Sequence, residues 1–141
     1  MKRIPFISIA FLAVIFAAFY FSANALSPFD GKLIALDAGH GGTETGAVNS
    51  STGVQEKDVN LAVVYALKQK FEGSGATIVL TRSGDETLDS RKSRVDYAIE
   101  QCKLLAGRKC DILVSVHHNG NSSTTHDGTM VIYNERGDKL L

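Results

Sequence analysis

Residues 33–47, reading LIALDAGHGGTETGA, restrict what this chain can fold into more than any other stretch. Leu33, Ile34, Ala35 and Leu36 form a short apolar run bounded by polar residues and glycine, the pattern of a buried strand. The chain then changes character at once, through Asp37 and Ala38 into Gly39-His40-Gly41-Gly42. Three glycines around one histidine let the backbone turn sharply and come close to a bound ion or ligand. In open α/β sheets, function sits at the carboxyl ends of strands. His40 is therefore either a metal ligand or catalyst, or an exposed histidine in a glycine-rich turn.

Ahead of this stretch, Lys2 and Arg3 precede an almost unbroken apolar run over residues 4–21, followed by Ser22-Ala23-Asn24-Ala25. A basic start, an apolar centre and an Ala-x-Ala end predict a secretory signal peptide over residues 1–25, cleaved after Ala25. The run is also nearly long enough to span a bilayer, so an uncleaved N-terminal anchor is the alternative. On either reading the remainder is exported, and the membrane is met only through this segment. Residues 26–31 are expected to form a short linker, and residues 32–141 one small domain. Fifteen basic and fifteen acidic residues balance over the whole chain, and no acid precedes Asp30, so residues 26–141 carry a net charge of −2. That balance excludes a nucleic-acid binder. Substrate must be recognised by a local site.

The rest of the chain alternates. Residues 59–71, VNLAVVYALKQKF, place Leu61, Val64, Tyr65 and Lys68 at helical spacing, closed by Gly73 and Gly75. Residues 76–81, ATIVLT, read as a second strand. A second helix is expected over residues 88–105, through Val95, Ala98, Ile99, Cys102 and Leu105, with Gly107 after it. Residues 111–116, DILVSV, predict a third strand, central because it is so apolar. Residues 129–133, TMVIY, predict a fourth. Strand, helix, strand, helix, strand is the order of an α/β fold, a mainly parallel sheet with helices on both faces.

His117 and His118 follow the third strand directly. Side chains alternate along a strand, so the two need not act together. In a parallel sheet His117 and His40 lie at the same carboxyl edge, where two imidazoles make a metal site plausible. A third ligand is needed. Glu56 stands at the start of the first helix, which must begin near that edge if it joins two parallel strands. Its other explanation is a favourable charge at the helix N-terminus. Asp37 either orients a metal-bound histidine, as carboxylates commonly do, or caps the strand end. Cys102 and Cys110 flank the loop before the third strand; export permits a disulfide between them, with two buried thiols as the alternative.

Four segments, in order and at similar spacing, resemble the zinc-dependent N-acetylmuramoyl-L-alanine amidases of the amidase type 3 family, which cut cell-wall peptidoglycan. They are Asp37-Ala38-Gly39-His40-Gly41-Gly42, Glu56-Lys57-Asp58-Val59-Asn60-Leu61, Thr81-Arg82 with Asp85 after it, and Ser115-Val116-His117-His118-Asn119. The resemblance implies a catalytic zinc held by His40, Glu56 and His117, with an open fourth position. Such an ion brings the pKa of its water to about 7 and polarises a carbonyl. The implied reaction is hydrolysis of the amide between N-acetylmuramic acid and L-alanine, with peptidoglycan, glycan strand plus stem peptide, as the partner. The implied location is the bacterial periplasm, the cell envelope or outside the cell.

Asp37 and Asn119 are candidates for supporting the ligands or touching substrate. His118 takes a variable position in the family's motif and is expected to face solvent. Where relatives have one arginine, this chain offers Arg91 and Arg94. Relatives also carry a second glutamate, the general acid/base, on a last strand near the domain's C-terminus. Here that glutamate is expected beyond Leu141, which leaves the catalytic acid/base unassigned and the C-terminal part of the domain missing. Two readings follow: a fragment of a longer amidase, or a truncated, inactive peptidoglycan-binding or regulatory domain of the same fold.

Overall fold

The computed structural model describes residue 14 and residues 27–88, 90–118, 120 and 129–133. The expected leader over residues 1–25 lies outside the described residues except for Val14, and Asn119 lies outside them as well. Among the described residues no helix is long and apolar enough to cross a membrane.

Five elements follow one another as β1 (Leu33–Ala38), α1 (Glu56–Glu72), β2 (Thr77–Leu80), α2 (Arg91–Ala106) and β3 (Ile112–Val116). The three strands form one parallel sheet in the order β2-β1-β3. Every residue of β1 is buried. Alternation along it feeds two cores. Leu33 and Ala35 pack with Val79, Ala98, Cys102 and Cys110 on the α2 side. Ile34, Leu36 and Ala38 pack with Val64, Leu61, Leu67 and Phe71 on the α1 side. Helices therefore cover both faces, as the alternation of elements predicts.

Two expectations need correction. The central strand is β1, with β3 beside it at one margin of the described sheet. The apolar character of β3 arises because Leu113 packs against one core and Val114 and Val116 against the other, while Ile112 is partly exposed. Residues 129–133 form no strand, and Met130, Val131, Ile132 and Tyr133 are exposed. A β-branched run becomes a strand through ladder partners and a buried face, and these residues have neither among the described residues. Residues 28–31, within the expected short linker, pack onto the domain. They make a turn in which Gly31 donates to the Gly75 carbonyl at 3.0 Å. Phe29 meets Phe71 edge to face, with ring centroids 4.9 Å apart.

Helix α1 begins three residues before the apolar periodicity does, because its first N–H groups are satisfied by the preceding loop. Glu56 donates to Ala47 O at 2.8 Å and Lys57 to Thr45 O at 3.1 Å, in place of a side-chain cap. Helix α2 begins later than expected, at a capping box between Ser90 and Ser93. It ends at Gly107, whose left-handed φ of 68° suits glycine. Its last turn is tied to the start of β3 by a disulfide between the buried Cys102 and Cys110, so the oxidised alternative holds.

That disulfide closes a loop of 8 residues. Loop-closure entropy gives it about 2–3 kcal/mol. Replacing both cysteines by alanine should lower the unfolding free energy in urea by about that amount. Unchanged stability would show that the bond is idle.

Candidate metal centre

Parallel pairing brings the ends of β1 and β3 together: Asp37 is opposite Ser115 and Ala38 opposite Val116. Two residues past β1 stands His40, and one past β3 stands His117. Their rings meet edge to face with centroids 4.8 Å apart. Glu56, at the first position of α1 and 9% exposed, turns its carboxylate toward both. One oxygen, Oε1, lies 3.2 Å from His40 Nε2 and 3.2 Å from His117 Nδ1. The ligand atoms of the three residues all fall within 4.8 Å of one another. Glu56 is thus more than a favourable charge at a helix end.

Burial pushes the pKa of Glu56 up, but donors outweigh it and hold it down at about 2. The backbone N–H of Ala47 reaches Oε2 at 3.0 Å, and that of His118 reaches Oε1 at 3.0 Å. The carboxylate is therefore an anion at neutral pH, fixed from both sides. Asn60, fully buried one turn along α1, donates to Gly39 O at 3.1 Å. Its carbonyl oxygen meets His118 Nδ1 at 2.6 Å. His118 is exposed as expected, yet its backbone N–H and its ring both support the Glu56 side of the centre.

Two glycines make room for this convergence. A Cβ on Gly39 would overlap the His117 ring. Gly46, at φ 64°, would bring a Cβ to 2.6 Å from His40 Cδ2 and 2.7 Å from Glu56 Oε2. His40 itself has φ 61°, an uncommon conformation for a non-glycine residue that costs on the order of 1 kcal/mol.

The loop that carries His40 is held by buried cations. Arg82 donates from Nε to Ala38 O at 2.8 Å, and from Nη2 to Gly39 O at 3.1 Å and Lys57 O at 2.7 Å. Arg94 donates to Ala38 O at 2.9 Å and to His40 O at 2.6 Å. Lys57 Nζ donates to Gly42 O and to Asp85 Oδ2, both at 2.8 Å, while Asp85 also accepts from Gly42 N at 2.8 Å. Of the two arginines offered by the sequence, Arg94 is buried in this network and Arg91 is exposed.

Of the two readings of Asp37, orienting a histidine or capping the strand end, its contacts are those of the strand ends, and it touches neither histidine ring. It is 4% exposed and accepts from Thr81 Oγ1 at 2.6 Å, Ser115 Oγ at 2.6 Å and Arg94 Nη1 at 3.0 Å. It ties the ends of all three strands to α2. Asn119, the other supporting candidate, lies outside the described residues. The supporting roles of Lys57, Asn60, Arg82 and Arg94 were not anticipated. They come from far along the chain, with Arg94 lying 54 residues from His40, and the one signal for them was their place in the motifs shared with the family.

The family model described as N-acetylmuramoyl-L-alanine amidase matches residues 34–140. The chain belongs to this family. It is 37% identical over 112 residues to the N-acetylmuramoyl-L-alanine amidase LytC of Bacillus subtilis, covering 79% of this chain and 21% of that protein. It is 32% identical over 113 residues to a germination-specific N-acetylmuramoyl-L-alanine amidase of the same organism, covering 75% and 46%. Among solved structures it resembles the catalytic domain of the amidase CwlV from Bacillus (Paenibacillus) polymyxa var. colistinus. There the TM-score is 0.55 at 31% identity, covering 67% of this chain and 49% of that one. The CwlD amidase of Clostridioides difficile, solved with the GerS lipoprotein, gives a TM-score of 0.55 at 30% identity, covering 68% and 52%. This amidase-family chain spans less than half the length of the curated relatives named here.

Two predictions follow from the site. Burial raises the pKa of Asp37, but the Ser115, Thr81 and Arg94 contacts outweigh it and hold the carboxyl below its usual value. A depressed folded value means stability present above about pH 4 and lost as pH falls further. Asp37→Asn should cost about 3 kcal/mol near pH 7, because Arg94 is left buried without its counter-charge. The variant should also lose less additional stability than the native chain between about pH 4 and 2. Urea unfolding across that range is the check, and identical acid profiles would refute it. Second, Gly39→Ala should displace the His117 ring, read as a shift of its imidazole NMR signals; an unmoved ring would contradict the close approach.

Proposed function

We propose that this chain carries the metal centre of an exported amidase that hydrolyses the bond between N-acetylmuramic acid and L-alanine in peptidoglycan. The observation behind this reading is the convergence of His40 Nε2 and His117 Nδ1 on one oxygen of Glu56, each at 3.2 Å. A tetrahedral zinc with bonds of about 2.0–2.1 Å has its ligand atoms about 3.3 Å apart, and two imidazoles with one carboxylate are donors that zinc accepts. The residues fit the ion. His40, Glu56 and His117 would hold it.

When bound, zinc supplies Lewis acidity, bringing the pKa of water to about 7 and polarising a carbonyl. The chain's own residues do the rest. Glu56, an anion held by the Ala47 and His118 N–H groups, offers its charge without first giving up a proton. Arg82 and Arg94 hold the carbonyl groups of the loop that carries His40. The leaving stem-peptide amine must be protonated, which requires a general acid. Asp37 does not serve, since its carboxylate is engaged by Thr81, Ser115 and Arg94. A wall-binding domain without chemistry has no use for two histidines and a carboxylate whose ligand atoms converge within 4.8 Å, so the hydrolase reading is preferred. Residues 1–25 serve as the leader or anchor, residues 32–141 as catalytic domain, and peptidoglycan as the partner in the cell envelope. The amidase names of the relatives support that location.

His40→Ala or His117→Ala should weaken zinc binding by more than about a hundredfold, since even outer partners of a ligand are worth 10–100-fold. In a chain that also supplies the general acid, release of new amino termini from purified peptidoglycan should fall to background in both. Full zinc affinity or full cleavage in either variant would sink the ligand assignment.

A further inference from the structure

We propose that Arg94 is a positioning residue for the metal centre. It holds the His40 carbonyl, fixes the left-handed backbone that aims the His40 ring at Glu56, and thereby sets the affinity of the site for zinc. This rests on the zinc reading given above and assigns a residue that acts through another.

Among the described residues His40 is the non-glycine residue with a positive φ, at 61°. Such a conformation persists only where the surroundings over-determine it. The ring cannot do this. Its polar contact is Glu56 Oε1, the atom that would be shared with the ion. The backbone is held instead: Arg94 Nη2 donates to His40 O at 2.6 Å, the hydrogen bond to that carbonyl among the described residues. Arg82 grips the neighbouring carbonyls of Ala38 and Gly39 and does not reach His40.

The other arm of the guanidinium explains why the grip is rigid. Arg94 Nη1 is shared between Ala38 O at 2.9 Å and Asp37 Oδ1 at 3.0 Å. Asp37 is in turn fixed by the hydroxyls of Thr81, after β2, and Ser115, on β3. Arg94 is 6% exposed and lies in the first turn of a helix whose start is fixed by the Ser90–Ser93 capping box. A planar fork with several donors bridges a carboxylate and two carbonyls at once, whereas an ammonium is a single point charge. Without that fork the His40 peptide loses its donor and relaxes toward negative φ, which swings the Cα–Cβ bond away from Glu56.

The test measures zinc affinity by chelator competition on the full chain, with urea unfolding in parallel. The proteins are the native chain, Arg94→Lys, Arg94→Met and Val79→Ala. Val79 is a buried core residue of β2 outside the His40 loop, so its truncation lowers stability without touching the clamp. Arg94→Met should weaken zinc binding about 10–100-fold, and Arg94→Lys by a smaller but clear factor. Val79→Ala should stay within about twofold of the native chain, as expected for independent sites. A folded Arg94→Lys that binds zinc as tightly as the native chain overturns the inference alone. So does a Val79→Ala that weakens binding as much as the Arg94 variants. Should Arg94→Met fail to fold, Arg94→Lys decides. A native chain that takes up no zinc overturns the zinc reading, and this inference with it.

Discussion

The carboxyl edge of this sheet depends on three consecutive carbonyl groups, those of Ala38, Gly39 and His40. As β1 ends, these groups leave the ladder and turn inward, where each unpaired one would cost on the order of 1–3 kcal/mol. Two buried guanidinium groups accept that burden, with Arg82 on Ala38 and Gly39, and Arg94 on Ala38 and His40. With the backbone fixed on one side, the His40 ring is delivered to the other, against Glu56. Two buried cations so close repel, and Asp37, itself held by Thr81 and Ser115, supplies the opposing charge. The centre is therefore a continuation of the strand-end hydrogen bonding.

A second constraint is space. The histidines come from different loops, one after β1 and one after β3, and their rings stand 4.8 Å apart. That closeness is possible because Gly39 presents no Cβ to His117 and Gly46 none to His40 or Glu56. Glycines therefore serve here as clearance as well as turn formers. Glu56 completes the arrangement because α1 starts where the loop carbonyls of Ala47 and Thr45 meet its first N–H groups. The loop that satisfies the helix's first N–H groups also points its carboxylate at the histidines.

Much of this was legible in the sequence, for a physical reason. Parallel strands linked by helices put strand ends on one edge, so topology placed His40 and His117 there with the start of α1 nearby, and the family resemblance singled out Glu56 as their third partner. The two-faced burial of β1 was readable in Leu33-Ile34-Ala35-Leu36. What stayed hidden were contacts made by long side chains across large sequence separations. Arg94 reaches His40 O across 54 residues, and Lys57 reaches Asp85 across 28. Periodicity says nothing about either, and it left Arg91 and Arg94 equivalent. Asp37 was read as a possible partner of a histidine because carboxylates often are; its real partners depend on the register of β1 with β3. The TMVIY segment shows the opposite failure. Its local preference is for a strand, but residues 129–133 have no neighbour among the described residues to pair with.

The proposed chemistry requires His40, Glu56 and His117 to bind one zinc together. X-ray absorption at the zinc edge, on the chain loaded with one equivalent, addresses this most directly. The prediction is an inner shell of nitrogen and oxygen at about 2.0–2.1 Å, with the outer scattering of two imidazole rings. A shell containing sulfur at about 2.3 Å, or scattering from fewer than two imidazoles, would contradict it.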